Sequence, residues 1–140
     1  MAVTFEQIQE GDELPGYEMN FTRDQLMAYA HASGDMNPIH LDEQVAKSVG
    51  LPDVISHGML TMGRAIRVVT DWIEDPTMVI DYSVRMTRPV VVPNTHDGTK
   101  VVFSGKVAQV NPDRTVRVDL AAVCEGITVL GQAKAIIKFK

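Results

Sequence analysis

The order of elements along this 140-residue chain predicts an α+β fold, a curved antiparallel sheet wrapped around a central long helix. Three observations predict it. Residues 58–74 carry Met59, Leu60, Met62, Ala65, Ile66, Val68, Val69, Trp72 and Ile73 around most of a helical circumference. Arg64, Arg67, Asp71 and Glu74 form one narrow polar stripe on it, and a helix so apolar is a buried one that something must curl about. After Met78 the chain turns to period-two alternation, the signature of half-buried strands. Helix signals come before these strands, not between them, which separates α+β from an alternating α/β chain.

Taken in order, residues 1–16 are mostly polar, with turns at Gly11-Asp12 and Pro15-Gly16 and a short extended piece from Tyr17 to Phe21. Thr22-Arg23-Asp24-Gln25 fits a capping box, opening a helix that runs to about Ser33 and ends at Gly34. A second short helix spans Leu41 to Ser48, closed by Gly50 and barred from continuing by Pro52. Ser56-His57-Gly58 opens the central helix. Strands follow over Met78–Thr87, Thr99–Val110 (with Gly105 a candidate bulge) and Arg114–Glu125. In the last strand Ile127, Val129, Ala133, Ala135, Ile137 and Phe139 share one face, opposite Gln132, Lys134, Lys138 and Lys140. The whole reads as one domain over residues 1–140 with a sheet of meander type.

Composition narrows the function classes. A hydrophobic fraction of 45% and a charged fraction of 22% are those of a soluble globular protein. The net charge of −5 argues against nucleic acid as the main partner, so any phosphate-bearing partner needs a local basic patch. Cys124 is the sole cysteine, which excludes a disulfide framework and points to a reduced cytoplasmic setting, with the thiol buried and inert. The N-terminal residues have neither a basic n-region nor an apolar h-region, so no signal peptide is expected. Arg64 and Arg67 interrupt the longest apolar helix, so no membrane span is expected either.

Chemistry concentrates in Tyr29-Ala30-His31-Ala32-Ser33-Gly34-Asp35-Met36-Asn37-Pro38-Ile39-His40. Asp35 and His40 are separated by five positions and a proline, which is not a helix-face spacing. The chain leaves a helix and loops back, so that a carboxylate and an imidazole converge. Such a pair can activate water, hold a metal or form a buried structural contact.

The same residues carry a family resemblance. Tyr29, Ala30, Ser33, Gly34, Asp35, Asn37, Pro38 and His40 fill every specified position of the hydratase signature of the MaoC-like hydratase/dehydratase family, which has the hot-dog fold. Ser56-His57-Gly58-Met59 resembles the family's turn into its central helix. Arg85-Met86-Thr87-Arg88-Pro89-Val90 resembles its Arg-Phe-x-x-Pro-Val strand, with Met86 in place of the aromatic. Within the family the chain is most similar to the catalytic subunit of actinobacterial (3R)-hydroxyacyl-carrier-protein dehydratases.

The resemblance implies reversible syn hydration of a trans-2-enoyl thioester to the (3R)-3-hydroxyacyl thioester, in fatty-acid metabolism. His40 then takes the proton of a bound water, and Asp35 orients that water and relays protons. The Gly58 N–H, unpaired at the start of its helix, is expected to receive the charge that develops on the thioester oxygen. Asn37 and His57 support the loop or the substrate. Met59, with Met36, Met62 and Met86, lines an acyl tunnel or fills the core. Arg85 and Arg88 are candidates for the phosphates of coenzyme A or a phosphopantetheine arm. Arg64 and Arg67 suit a solvated stripe as well, with Arg67 and Asp71 a helical pair. His31 and His96 read as surface residues. No metal and no cofactor is expected beyond the thioester, carried by coenzyme A or acyl carrier protein. The partner expected is a second hot-dog chain, identical or not.

Three alternatives share these residues. A metal-dependent hydrolase would use Asp35, His40 and His57, although no HExxH-type spacing is present. A hot-dog thioesterase would cleave the thioester instead. A non-catalytic subunit would have no use for the intact Asp35/His40 pair.

Overall fold

The computed structural model describes residues 2–140. Six strands form one antiparallel sheet: β1 (Glu13–Phe21), β2 (Val79–Met86), β3 (Thr99–Val110), β4 (Thr115–Cys124), β5 (Ile127–Thr128) and β6 (Leu130–Lys138). Their spatial order is β1-β3-β4-β6-β2, with the short β5 pairing β4. β3, β4 and β6 follow one another as a meander. The first two strands close its opposite edges, because the helices between them carry the chain across the sheet. Those helices are α1 (Arg23–Ser33), α2 (Glu43–Ser48), α3 (Gly58–Ala65) and α4 (Arg67–Ile73).

Alternation decides which sheet face is apolar. Val101, Phe103 and Val107 of β3, Val116, Val118 and Ala122 of β4, and Ala135 and Ile137 of β6 are buried together. Ala65 of α3 and Val68, Val69 and Ile73 of α4 join the same cluster. This is the hot-dog arrangement, with the helix laid in the concave face of the sheet. Gly105 is no bulge: a Cβ there would lie 3.0 Å from Val68 Cγ1, so the missing side chain lets the helix approach β3. The register of β3 on β4 slips instead between Val107 and Gln109.

The single long helix expected over 58–74 is two helices that meet at Ile66. Tyr17 Oη of β1 donates to the Arg64 carbonyl, and Tyr82 Oη of β2 donates to the Met62 carbonyl at 2.6 Å. Side-chain donors inserted into a helical ladder compete for its carbonyls and break it. Burial is also one-sided, since Met59, Gly63, Arg67 and Asp71 face outward. One sheet covers only one side of a helix.

Three smaller expectations change. Pro15-Gly16 is no turn but lies inside β1, where the register slips between Leu14 and Tyr17. A Cβ on Gly16 would lie 2.6 Å from the Phe103 carbonyl oxygen, so glycine permits that close approach. The last strand is split: Ile127 is exposed in β5, while both Val129 and Leu130 are buried. Gln132, at φ 47°, is the extra residue that restores alternation between Gly131 and Lys134. Cys124 is buried as expected, its Sγ 3.2 Å from Thr99 Oγ1.

Candidate active site

Local polar chemistry shapes the loop after α1. The capping box is present as predicted: Thr22 Oγ1 accepts from Gln25 N–H, and Gln25 Oε1 accepts from Thr22 N–H. Gly34 ends the helix in the left-handed region at φ 81°, donating to the Ala30 carbonyl at 2.9 Å. The loop then folds on its own side chains. Asp35 N–H donates to Ser33 Oγ (3.2 Å), Asn37 N–H to Asp35 Oδ1 (3.1 Å) and Ile39 N–H to Asn37 Oδ1 (3.2 Å). Asn37 thereby caps the 3₁₀ turn Pro38–His40, which swings His40 inward until it is 8% exposed.

A backbone carbonyl settles the tautomer of His40. Its Nδ1 lies 2.8 Å from the Ile55 carbonyl oxygen. That oxygen can only accept, so Nδ1 carries a proton, and when the ring is neutral it is Nε2 that presents the lone pair. Asp35 Oδ2 lies 4.0 Å from this Nε2. Too long for a direct hydrogen bond, the gap suits one water molecule donating to both atoms at about 2.8 Å.

The second half of the site begins at residue 54. Val92 N–H donates to the Val54 carbonyl and Ser56 N–H to the Val90 carbonyl, each at 2.8 Å. Ile55 N–H donates to the Ile39 carbonyl at 3.2 Å, tying this strap to the loop. His57 follows as the N-cap residue of α3, and Gly58 is its first helical residue. His57 is 1% exposed, and its ring stacks on that of His40, with centroids 4.0 Å apart and 27° between planes. Its Nε2 lies 3.1 Å from the Asp35 carbonyl oxygen, so Nε2 carries the proton. Burial pushes the His57 imidazole below its ordinary pKa; the bond to Asp35 opposes this and the neighbouring His40 adds to it.

His40 and Gly58 line one cleft of about 310 Å³ with Ile55, Ser56, Thr61, Met86, Thr87, Arg88, Pro89, Val90, Val129 and Leu130. Asp35 does not line the cleft itself and reaches it only by way of His40, 4.0 Å from its Oδ2. The structure thus brings together Asp35, His40, His57 and Gly58, with Asn37 in the loop behind and Arg88 and Met86 in the wall. Other candidates lie elsewhere. Met59 is 62% exposed, outside the cleft, because it sits on the uncovered side of α3. Arg85 precedes Met86 in β2 and so projects from the opposite sheet face. Met36 is exposed in the loop. Arg64 lies over the Phe21 ring at 4.3 Å, and Arg67 over the Tyr17 ring at 4.9 Å while pairing with Asp71 at 3.3 Å. His31 and His96 are exposed.

Sequence reasoning missed four residues of the cleft wall, Ile55, Thr61, Val129 and Leu130. Thr61 could have been found, three residues beyond Gly58 on the same helical face. Ile55, Val129 and Leu130 carry no local signal, since only tertiary pairing brings them there. The ligand atoms of Asp35, His40 and His57 lie within 4.8 Å of one another. The two rings are stacked, however, with 27° between planes and centroids 4.0 Å apart, and lone pairs confined to such planes are poorly placed to share one tetrahedral ion.

Comparison with known proteins agrees with this architecture. The family described as MaoC like domain matches residues 6–125, and the chain belongs to that family. Over 81 residues it is 36% identical to 3-hydroxyacyl-thioester dehydratase X of Mycobacterium tuberculosis, a match covering 58% of this chain and 28% of that protein. Over 87 residues it is 36% identical to the peroxisomal enoyl-CoA hydratase 2 of Arabidopsis thaliana, covering 56% of this chain and 28% of the other. A solved MaoC-like dehydratase superposes with a TM-score of 0.94 at 39% identity, over 99% of this chain and 43% of that one. The matched segments therefore span under a third of the length of these curated relatives. Among the described residues no helix is long and apolar enough to cross a membrane.

Proposed function

We propose that this chain catalyses reversible syn hydration of trans-2-enoyl thioesters to (3R)-3-hydroxyacyl thioesters. The observation that carries the reading is the His40 Nε2 lone pair, fixed by the Ile55 carbonyl and held 4.0 Å from Asp35 Oδ2. A water between them is oriented by both acceptors. His40 Nε2 takes one of its protons as the oxygen adds to C3, and the pair returns a proton to Cα from the same face, which makes the addition syn. The Gly58 N–H, at the positive end of α3, stabilises the enolate-like thioester oxygen by about 3 kcal/mol. Met86 and Leu130 offer apolar wall to the acyl chain, and Arg88 offers a cation to the phosphate-bearing arm.

Supporting the reading are the family membership and the names of the relatives, an enoyl-CoA hydratase and a hydroxyacyl-thioester dehydratase. The proposed chemistry draws on no cofactor, because coenzyme A or carrier protein arrives as part of the substrate. A second hot-dog chain is the proposed partner, with β2 available at the sheet edge and Ile80 exposed on it. The buried free thiol of Cys124 suits the cytoplasm.

The test is a chain-length series of trans-2-enoyl-CoA esters given to the purified protein. Loss of enoyl absorbance without release of free thiol is the expected result. Thiol release at the rate of substrate loss would identify a thioesterase instead.

A further inference from the structure

The geometry assigns His57 as the positioning residue that holds the Asp35 loop in register with His40, an inference that rests on the hydration reading above. Residues 34–37 are tied down almost wholly by themselves. Their hydrogen bonds run from Gly34 to Ala30, from Asp35 to Ser33, from Asn37 to Asp35, and from His40 and Ile39 back to Asn37. Every one of these spans four residues or fewer. Among the described residues, one hydrogen bond of this segment comes from far away, the His57 Nε2–H on the Asp35 carbonyl across 22 positions.

That single donor acts on the residue whose placement matters. Asp35 has a half-exposed side chain, 51% accessible, whose one hydrogen bond from the chain, Asn37 N–H to Oδ1, is itself local to the loop. His57 is nine-tenths buried and more, so it brings the order of the core to the loop. Its ring also backs the face of His40, and on another side the Tyr29 ring meets it edge-on at 4.7 Å and 64°. Tyr29, Asp35 and His40 therefore all touch one imidazole. Its backbone then starts α3, so the same residue sets how far the pair stands from the Gly58 N–H.

The two rings carry opposite tautomers, each fixed by a carbonyl: Nδ1–H on His40 and Nε2–H on His57. A proton taken up by His57 would place two cations face to face when His40 accepts its own. His57 works as a neutral ring. The titratable groups facing it are Asp35 and His40 from the loop and Tyr29 from α1.

Two variants separate the donor from the ring. His57→Phe keeps an aromatic face against His40 and removes the N–H; His57→Gln restores an N–H and removes the ring. We expect His57→Phe to lower kcat by about 10²-fold with KM changed by less than about threefold, since a misplaced group costs turnover more than ground-state binding. His57→Gln is expected to recover at least about fivefold of that loss. Nitrogen-15 NMR of the imidazoles in the unmodified protein is expected to show the two opposite tautomers, with His57 taking up its proton at lower pH than an exposed histidine does. Unchanged kcat in His57→Phe, no recovery in His57→Gln, or a His57 ring that protonates as readily as an exposed histidine each overturns the inference and leaves hydration standing. Absence of hydration by the unmodified protein overturns the functional reading and this role with it.

Discussion

The two halves of the site are built on opposite principles. Residues 34–38 are exposed, and they hold their shape through side-chain caps and turns of short range. Residues 54–57 are mostly buried, with Val54 at 0%, Ser56 at 5% and His57 at 1% exposure, and backbone bonds strap them to Val90, Val92 and Ile39. The carboxylate thus sits on the part with the least packing, and the proposed oxyanion donor on the part with the most. A group that must shuttle protons with water benefits from contact with solvent. A dipole meant to stabilise developing charge benefits from a place where it cannot reorient. The difference also says where the site is vulnerable: the loop loses geometry before it loses fold, and the strap does the reverse.

Substitutions sharpen that contrast. The largest effect is expected from His40→Gln and Asp35→Asn, each cutting hydration by at least about 10²-fold while circular dichroism and the melting curve stay near normal. Near-normal turnover in both would remove the pair from the chemistry. Gly58→Ala is next. Its Cβ would meet Met86 Sδ at 3.2 Å, the far end of a flexible side chain, so the protein folds. The methyl group and the displaced Met86 occupy the substrate's approach, and kcat/KM should fall about tenfold. A variant with unchanged kcat/KM would place the thioester elsewhere.

Stability measurements test the other half of the comparison. Arg23 donates from Nε to the Val92 carbonyl at 2.7 Å and from Nη2 to Asp53 Oδ1 at 2.6 Å, pinning the strap to α1. Arg23→Ala should cost about 1–3 kcal/mol in urea unfolding, because the Val92 carbonyl loses its Arg23 donor and the partly buried Asp53 carboxylate loses its cation. Asn37→Ala, in the exposed loop, should cost no more than about 1 kcal/mol while lowering turnover, the inverse ratio of the two effects. Equal stability losses would show that the loop is as well anchored as the strap.

The smallest effect is one of pH. Burial depresses the folded pKa of His57 below its ordinary 6.5, so the unfolded chain binds that proton more readily. The sign follows: this contribution to stability is fully present above pH 6.5 and is lost as pH falls below it, toward the folded value. The melting temperature should decline on acidification through that range, and His57→Phe should flatten the decline. An unaltered slope would mean that other groups dominate acid unfolding.

Much of the site could be read in the spacing of residues, and the limits of that reading have a physical cause. Thr22 and Gln25, Gly34, Asn37 and Pro38 each act on atoms within four positions, so sequence order already states the partner. Met59 and Arg85 lie outside the cleft although they flank residues that line it, Gly58 and Met86, because a neighbour in sequence projects elsewhere on a helix or a strand. The continuous helix over 58–74 was misjudged because hydrophobic periodicity does not register a competing donor from another element.

The sequence by itself therefore determined the elements, the turn that aims Asp35 and His40 at one place, and the glycine that opens α3. Tertiary structure alone decided the rest: the helix break made by Tyr17 and Tyr82, the tautomer imposed on His40 by Ile55, and the bond from His57 to the Asp35 carbonyl. Those contacts close loops of 47, 20, 15 and 22 residues between partners that nothing local relates. Hydrogen bonds over a few residues are selected by backbone geometry as the chain turns. Hydrogen bonds over tens of residues exist only once burial has brought their partners together.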